Sequence, residues 1–180
     1  MAEGMRVSGE RHEFKLVSVL RPDAVGVPGK RRFRLLVEGE PGSACLWLEK
    51  EQLQALGLAI DQMLAPLATL WSLSPTQPTP TVPPADFPPH PTVEFQVGRL
   101  ALAFDEASQQ FILLAHDVEA DQDGPATLTC RATRSQMRAL SQSISVLAAA
   151  GRPRCPLCGQ PIEDGSHVCP GSNGHTLSQP

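Results

Sequence analysis

The sequence predicts an α+β protein: two repeated βββα units forming one pseudo-twofold body, followed by a small C-terminal tail. Three observations predict it. Segments with strand character fall into two groups of three. Each group is followed by a stretch whose apolar residues recur at steps of three and four, the spacing of one helix face. The last thirty residues then change character, with three cysteines and two histidines in twenty-one positions.

Composition bounds what the body can be. A chain of 180 residues suffices for one medium domain or two small ones with a real core. Aromatics make up 4% and tyrosine is absent, so that core must be built from Leu, Val, Ala and Ile. A net charge of -4 argues against nucleic acid or an anionic membrane as partner. No apolar run reaches eighteen residues and the first residues lack a signal-peptide core, so the expectation is a cytoplasmic protein.

Residues 1–11 are polar and read as a flexible N-terminus. The first unit spans 12–71. It opens on a strand at 12–20, HEFKLVSVL, followed by the turn-rich RPDAVGVPGKR, a strand at 32–39 and a third at 44–48. A helix follows from about Glu49, carried by Leu53, Leu56, Ile60, Met63 and Leu67, with Pro66 marking its end and Gly57 permitting a close approach. Residues 72–92 hold eight prolines in twenty-one positions and read as an extended spacer. The second unit, 93–150, repeats the pattern with strands at 93–105, 110–116 and 126–132. Its helix opens at Thr133, with Gln136 three places on as in a capping box, and carries the stripe Met137, Leu140, Ile144 and Leu147.

The halves align at offsets of 81, 78 and 84 residues: Phe14 with Phe95, Phe33–Leu36 with Phe111–Leu114, and the Leu53, Leu56, Ile60, Met63 stripe with its counterpart. A three-stranded unit has one apolar face, and pairing two units would bury both in one core.

The tail, 151–180, carries the chemistry. Cys155 and Cys158 enclose two residues, Cys169 follows after ten and His175 after five more. Thiolate and imidazole in that number suit tetrahedral zinc, so the tail is expected to be zinc-binding, a knuckle or ribbon-like structure with one structural zinc. Cys155, Cys158, Cys169 and His175 are the expected ligands. His167 is the alternative to His175 as the fourth. Thirty residues cannot build a core, so the metal would supply the folding energy. A redox CxxC fits less well, because Gly159 and Pro161 follow at once where a helix N-terminus is needed. A catalytic zinc would need an open position and a base, for which Glu163 and Asp164 are candidates by proximity alone.

Elsewhere, alternation places Arg32 and Arg34 on one strand face and Phe33 and Leu35 on the other. His12, His90 and His116 read as surface residues, and Cys45 and Cys130 as small buried hydrophobes.

The segments AVGVPGKRRFRL, LEKEQLQAL, FQVGRLALAFDE and CPLCGQPIEDGSHVCPGSNGH together resemble an uncharacterised bacterial family, domain of unknown function 3090. The resemblance spans nearly the whole chain and is most specific at its end, onto which Cys155, Cys158, His167, Cys169 and His175 map. It implies no reaction. No catalytic triad, phosphate loop or carboxylate pair stands at convincing spacing, so the expected function is a non-enzymatic binding or adaptor protein whose partner is another protein. The alternative is an enzyme or a small-anion or cofactor-binding protein with a cleft between the repeats, lined by Arg32, Arg34, Arg131 or Arg134. A zinc-thiolate redox sensor is a third reading.

Overall fold

The computed structural model describes residues 10–27, 29–71, 87–149 and 157–158. Among these residues, alternating apolar residues form seven strands, and the two 3–4 stripes form two helices. In chain order these are β1 (His12–Leu16), β2 (Val19–Val25), β3 (Arg32–Gly39), β4 (Gly42–Leu48), α1 (Lys50–Trp71), β5 (Val93–Asp105), β6 (Gln110–Asp117), β7 (Leu128–Ala132) and α2 (Arg134–Ala149). The fold is α+β, with one mixed sheet in the order β1-β7-β6-β5-β4-β3-β2.

The ends of that order are adjacent in the chain. Only Val17 and Ser18 separate β1 from β2. Val17 N donates to Arg131 O on β7 (2.9 Å), and Ser18 N donates to Glu38 O on β3 (2.8 Å). Two consecutive residues thus pass the chain from one sheet edge to the other, so the sheet curls until its ends meet. The long β5 makes a similar change of partner. Val93–Gln96 run parallel to β4, and Val97–Asp105 run antiparallel to β6, with an irregularity at Gly98. A side chain at Gly98 would meet Gln122 Oε1 at 2.8 Å and Val118 Cα at 3.0 Å, so the bend requires glycine there.

The register is regular across the core. Phe33, Leu35 and Val37 lie opposite Leu48, Leu46 and Ala44, while Phe111, Leu113 and Ala115 lie opposite Ala132, Cys130 and Leu128. All twelve are buried. Leu46 sits beside Phe95 in the β4–β5 pair, and Cys130 beside Phe14 in the β1–β7 pair. Leu53, Leu56 and Ile60 of α1, with Met137, Leu140 and Ile144 of α2, pack into the same cluster.

The helices cross at Gly57. A Cβ there would lie 3.0 Å from Ile144 Cγ2, and Ser141 Oγ donates to Asp61 Oδ1 (2.5 Å) across the same contact. Each helix begins in the same manner. Gln136 Oε1 accepts from Thr133 N (2.8 Å) while its Nε2 donates to Val17 O (2.6 Å). Gln52 Oε1 accepts from Glu49 N (2.9 Å) while its Nε2 donates to Val97 O (3.1 Å).

Four expectations change. The strand expected at 12–20 is broken at Val17–Ser18 into β1 and β2, because the chain changes partner there from β7 to β3, so four strands precede α1. Residues 21–25 belong to β2 rather than to a turn, because the sheet's terminal strand tolerates the missing N–H of Pro22. Helix α1 runs through Pro66 to Trp71. Pro66 and Gln62, whose carbonyl loses its partner, are both exposed, so water can replace that bond. His116 is 4% exposed rather than on the surface. Its Nε2 lies 3.0 Å from Arg99 Nη2 and 3.1 Å from Gly124 O, under the loop that follows β6.

Candidate functional site

The outer face of the β2–β3–β4 sheet gathers the most polar chemistry among the described residues. Register places Asp23, Arg34 and Trp47 in one row across three strands. Alternation turns these outward because Phe33, Leu35, Leu46 and Leu48 turn inward. Arg34 donates to Asp23 Oδ2 from Nε (2.8 Å) and from Nη2 (2.6 Å). The Trp47 ring lies 4.1 Å from the Arg32 guanidinium carbon and 5.5 Å from that of Arg34. Its Nε1 donates to Glu94 Oε1 (2.7 Å) on the first part of β5.

Residues Phe87–Pro91, the end of the proline-rich stretch, border this row. Phe87, Pro88, Pro89 and Pro91, with Arg34, Cys45 and Glu94, line a cavity of about 120 Å³. That is room for a few waters, well under the volume of an organic cofactor site.

The charges here are already engaged. Burial opposes the Arg34 guanidinium's charge, yet the hydrogen bond and charge of Asp23 outweigh it and raise its pKa. Burial pushes the Cys45 thiol up, against the pull of Arg34's positive charge. Cys130, fully buried on β7, is pushed up to about 12 by burial alone. In both, burial favours the protonated thiol over the thiolate. As expected from sequence, they pack as buried thiols.

Of the arginines expected to line a cleft, Arg32 and Arg34 stand on β3, Arg131 on β7 and Arg134 at the start of α2. Arg131 Nη1 is held by Asp105 Oδ2 at 3.0 Å. The cavity beside Arg34 includes none of Arg32, Arg131 or Arg134.

Of the expected metal ligands, Cys155, His167, Cys169 and His175 lie outside the described residues. Cys158 is half-buried and forms a turn with Leu157. Among the described residues no group of three or more His, Cys, Asp or Glu could hold a metal, and no helix is long and apolar enough to cross a membrane.

Sequence reasoning missed the Trp47–Glu94 bond and the Glu49–Gln52 cap. The second was readable, since Gln52 stands three residues after the helix-initiating position just as Gln136 does. The first joins residues 47 positions apart and leaves no local signal.

No curated protein and no solved structure matches the chain. A family model described as "Protein of unknown function (DUF3090)" matches residues 12–169, most of the chain and its two sheet-and-helix segments together. The sequence resemblance therefore stands, and the chain belongs to the DUF3090 family.

Proposed function

We propose that this is a cytoplasmic, non-enzymatic binding or adaptor protein, with a duplicated βββα body that meets a protein partner and a tail folded around one structural zinc. The observation that carries the non-enzymatic reading is the state of its reactive groups. Arg34 and Arg131 are committed to Asp23 and Asp105, and burial favours the protonated form of both Cys45 and Cys130. A site prepared for chemistry would instead converge such groups on an accessible pocket.

The duplication is supported by the register. Leu35, Leu46 and Phe95 adjoin one another in the same way as Leu113, Cys130 and Phe14. Gln52 and Gln136, eighty-four residues apart, make the same pair of bonds at the two helix starts. Gly57 and Ser141, separated by the same offset, meet where the helices cross.

The zinc reading rests on the donor set. Cys155, Cys158 and Cys169 would supply three thiolates, and His175 or His167 the fourth ligand. Metal analysis of the purified chain should find about one zinc per molecule. Cys155→Ser should release most of it while the far-ultraviolet circular dichroism of the body stays in place. A metal-free wild-type protein, prepared without chelator from zinc-replete cells, would refute the site. Affinity capture from the native host should recover one protein stoichiometrically. Recovery of none, together with turnover of a small anionic substrate, would favour the enzyme reading instead.

A further inference from the structure

β2 and the later part of β5 occupy comparable places, and among the described residues only β2 carries a proline there. Beyond Gln96, β5 leaves β4 and pairs on one side alone. Among the described residues, no strand pairs with Gly98–Asp105 on the side away from β6. The matching stretch of β2 pairs only with β3. Pro22 lies opposite Leu35 there, as Leu102 lies opposite Leu113. Pro22 removes an N–H from β2, and α2 packs closely along that strand. Proline and a covering helix are two of the ways proteins keep a sheet edge from pairing. The β5 stretch GRLALAFD has neither proline nor lysine. Its outward residues include two exposed alanines, Ala101 and Ala103, and its inward Leu100, Leu102 and Phe104 are only partly buried.

We propose that this edge pairs with the same edge of a second copy of the chain, two β5 strands running antiparallel about Leu102 and continuing the sheet across a dimer. The occupant follows from the charge pattern. In that register Arg99 stands opposite the partner's Asp105, Leu100 opposite the partner's Phe104, and Ala101 opposite the partner's Ala103. Opposite charges meet at both ends, small residues face each other on the outer side, and large apolar residues meet on the inner side. Arg99 lies beside His116, and Asp105 is held by Arg131. The cross-dimer contact therefore extends the Asp105–Arg131 pair and brings a carboxylate to Arg99. A shift by one residue would set inner side chains against outer ones.

The test is the mass of the full chain in solution. Light scattering on the wild type is expected to give twice the 19.3 kDa chain mass. Ala101→Asp/Ala103→Asp places like charges opposite each other at both positions and should shift the dimer to monomer by at least tenfold in dissociation constant. Ala101→Asp/Ala103→Lys places opposite charges there and should recover the dimer. Circular dichroism should show that both variants keep the fold, since the two positions are exposed. A wild type that stays monomeric to millimolar concentration would overturn the proposal. So would a dimer indifferent to the two-aspartate change, or one that the aspartate–lysine pair fails to restore.

Discussion

Asp105 concentrates several bonds on one carboxylate. It closes the β5–β6 turn by accepting from Ala107 N (3.0 Å) and Ser108 N (3.3 Å), and it holds Arg131 across the sheet. Hydrogen bonds from Ser108 first, then from Arg131, hold its carboxyl below the usual carboxylate range. The unfolded chain protonates this group near pH 3.9, roughly its unperturbed value. Because the folded value is lower, the stabilisation is complete above that pH and is lost as pH falls through the folded value. Arg131→Gln should therefore flatten the acid limb of a urea-stability profile below about pH 4, where an unperturbed aspartate starts to protonate. An acid limb of unchanged slope would contradict the role given to this pair. Cys45 and Cys130 make a second residue-scale prediction. A thiol reagent at neutral pH should leave both unmodified in the native protein and label both in denaturant, as read by peptide mass spectrometry. Labelling of either in the folded state at the rate of an exposed thiol would count against their burial. The burial of Cys130 is legible in the sequence because alternation sets it on the apolar face of β7, whereas Cys45 faces away from the core and lines the cavity with Phe87 and Pro88. The burial of His116 is not legible, because it comes from the loop at Val118–Gly124 folding back, and its partners Arg99 and Gly124 lie on other segments.

Gln52 and Gln136 each join a helix start to the strand that changes neighbours beneath it. The amide oxygen caps the helix, and the amide nitrogen serves a strand carbonyl that the ladder has left behind. Gln136→Ala should cost about 1–2 kcal/mol, a cap plus a part-buried hydrogen bond. Gln136→Glu separates the two functions. Glutamate is a good capping-box residue and keeps the acceptor for Thr133 N, yet it cannot donate to Val17 O. It should be destabilised nearly as much as the alanine variant in chemical denaturation. Wild-type stability for the glutamate variant would mean that the strand carbonyl bond contributes nothing. At the helix crossing, Gly57→Ala gains about 1 kcal/mol of helix propensity but brings its Cβ 3.0 Å from Ile144 Cγ2. Ile144 is buried and β-branched, so it cannot swing away. Overpacking of about 1–3 kcal/mol should outweigh the gain, and a lowered melting temperature would register it. Both helices and β5 through β7 are legible from period, and β3 and β4 from their apolar runs, which bury Leu36 and Cys45 on the second face as well. β2 is not, since Pro22, Asp23 and Gly26 read as a turn. An edge strand accepts such residues where a central one would not.

The strand order is the part of the fold that no local pattern carries. Apolar alternation specifies which face of each strand turns inward but not which strand lies beside it. Nothing in HEFKL announces that β1 will run parallel to β7, whose residues lie 116 positions further along. That crossing has a consequence for folding. Residues 10–71 by themselves would present β1 with no β7 beside it and β4 with no β5. Residues 87–150 by themselves would leave Cys130 without Phe14 and Phe95 without Leu46, and the α2 stripe facing no Gly57. Each half would expose apolar surface that the whole molecule buries, at about 25 cal/mol per Å², against a total stability that is small for any domain of this size. Neither half should therefore be a folded monomer in isolation. Expressed alone, each should be unfolded or paired with itself in imitation of the missing half. Expressed together without the connecting prolines, they should copurify one to one and unfold in a single transition by calorimetry. A lone half that sediments as a monomer and melts cooperatively would show that the crossed strands are dispensable, and the two segments would then be separate domains placed side by side.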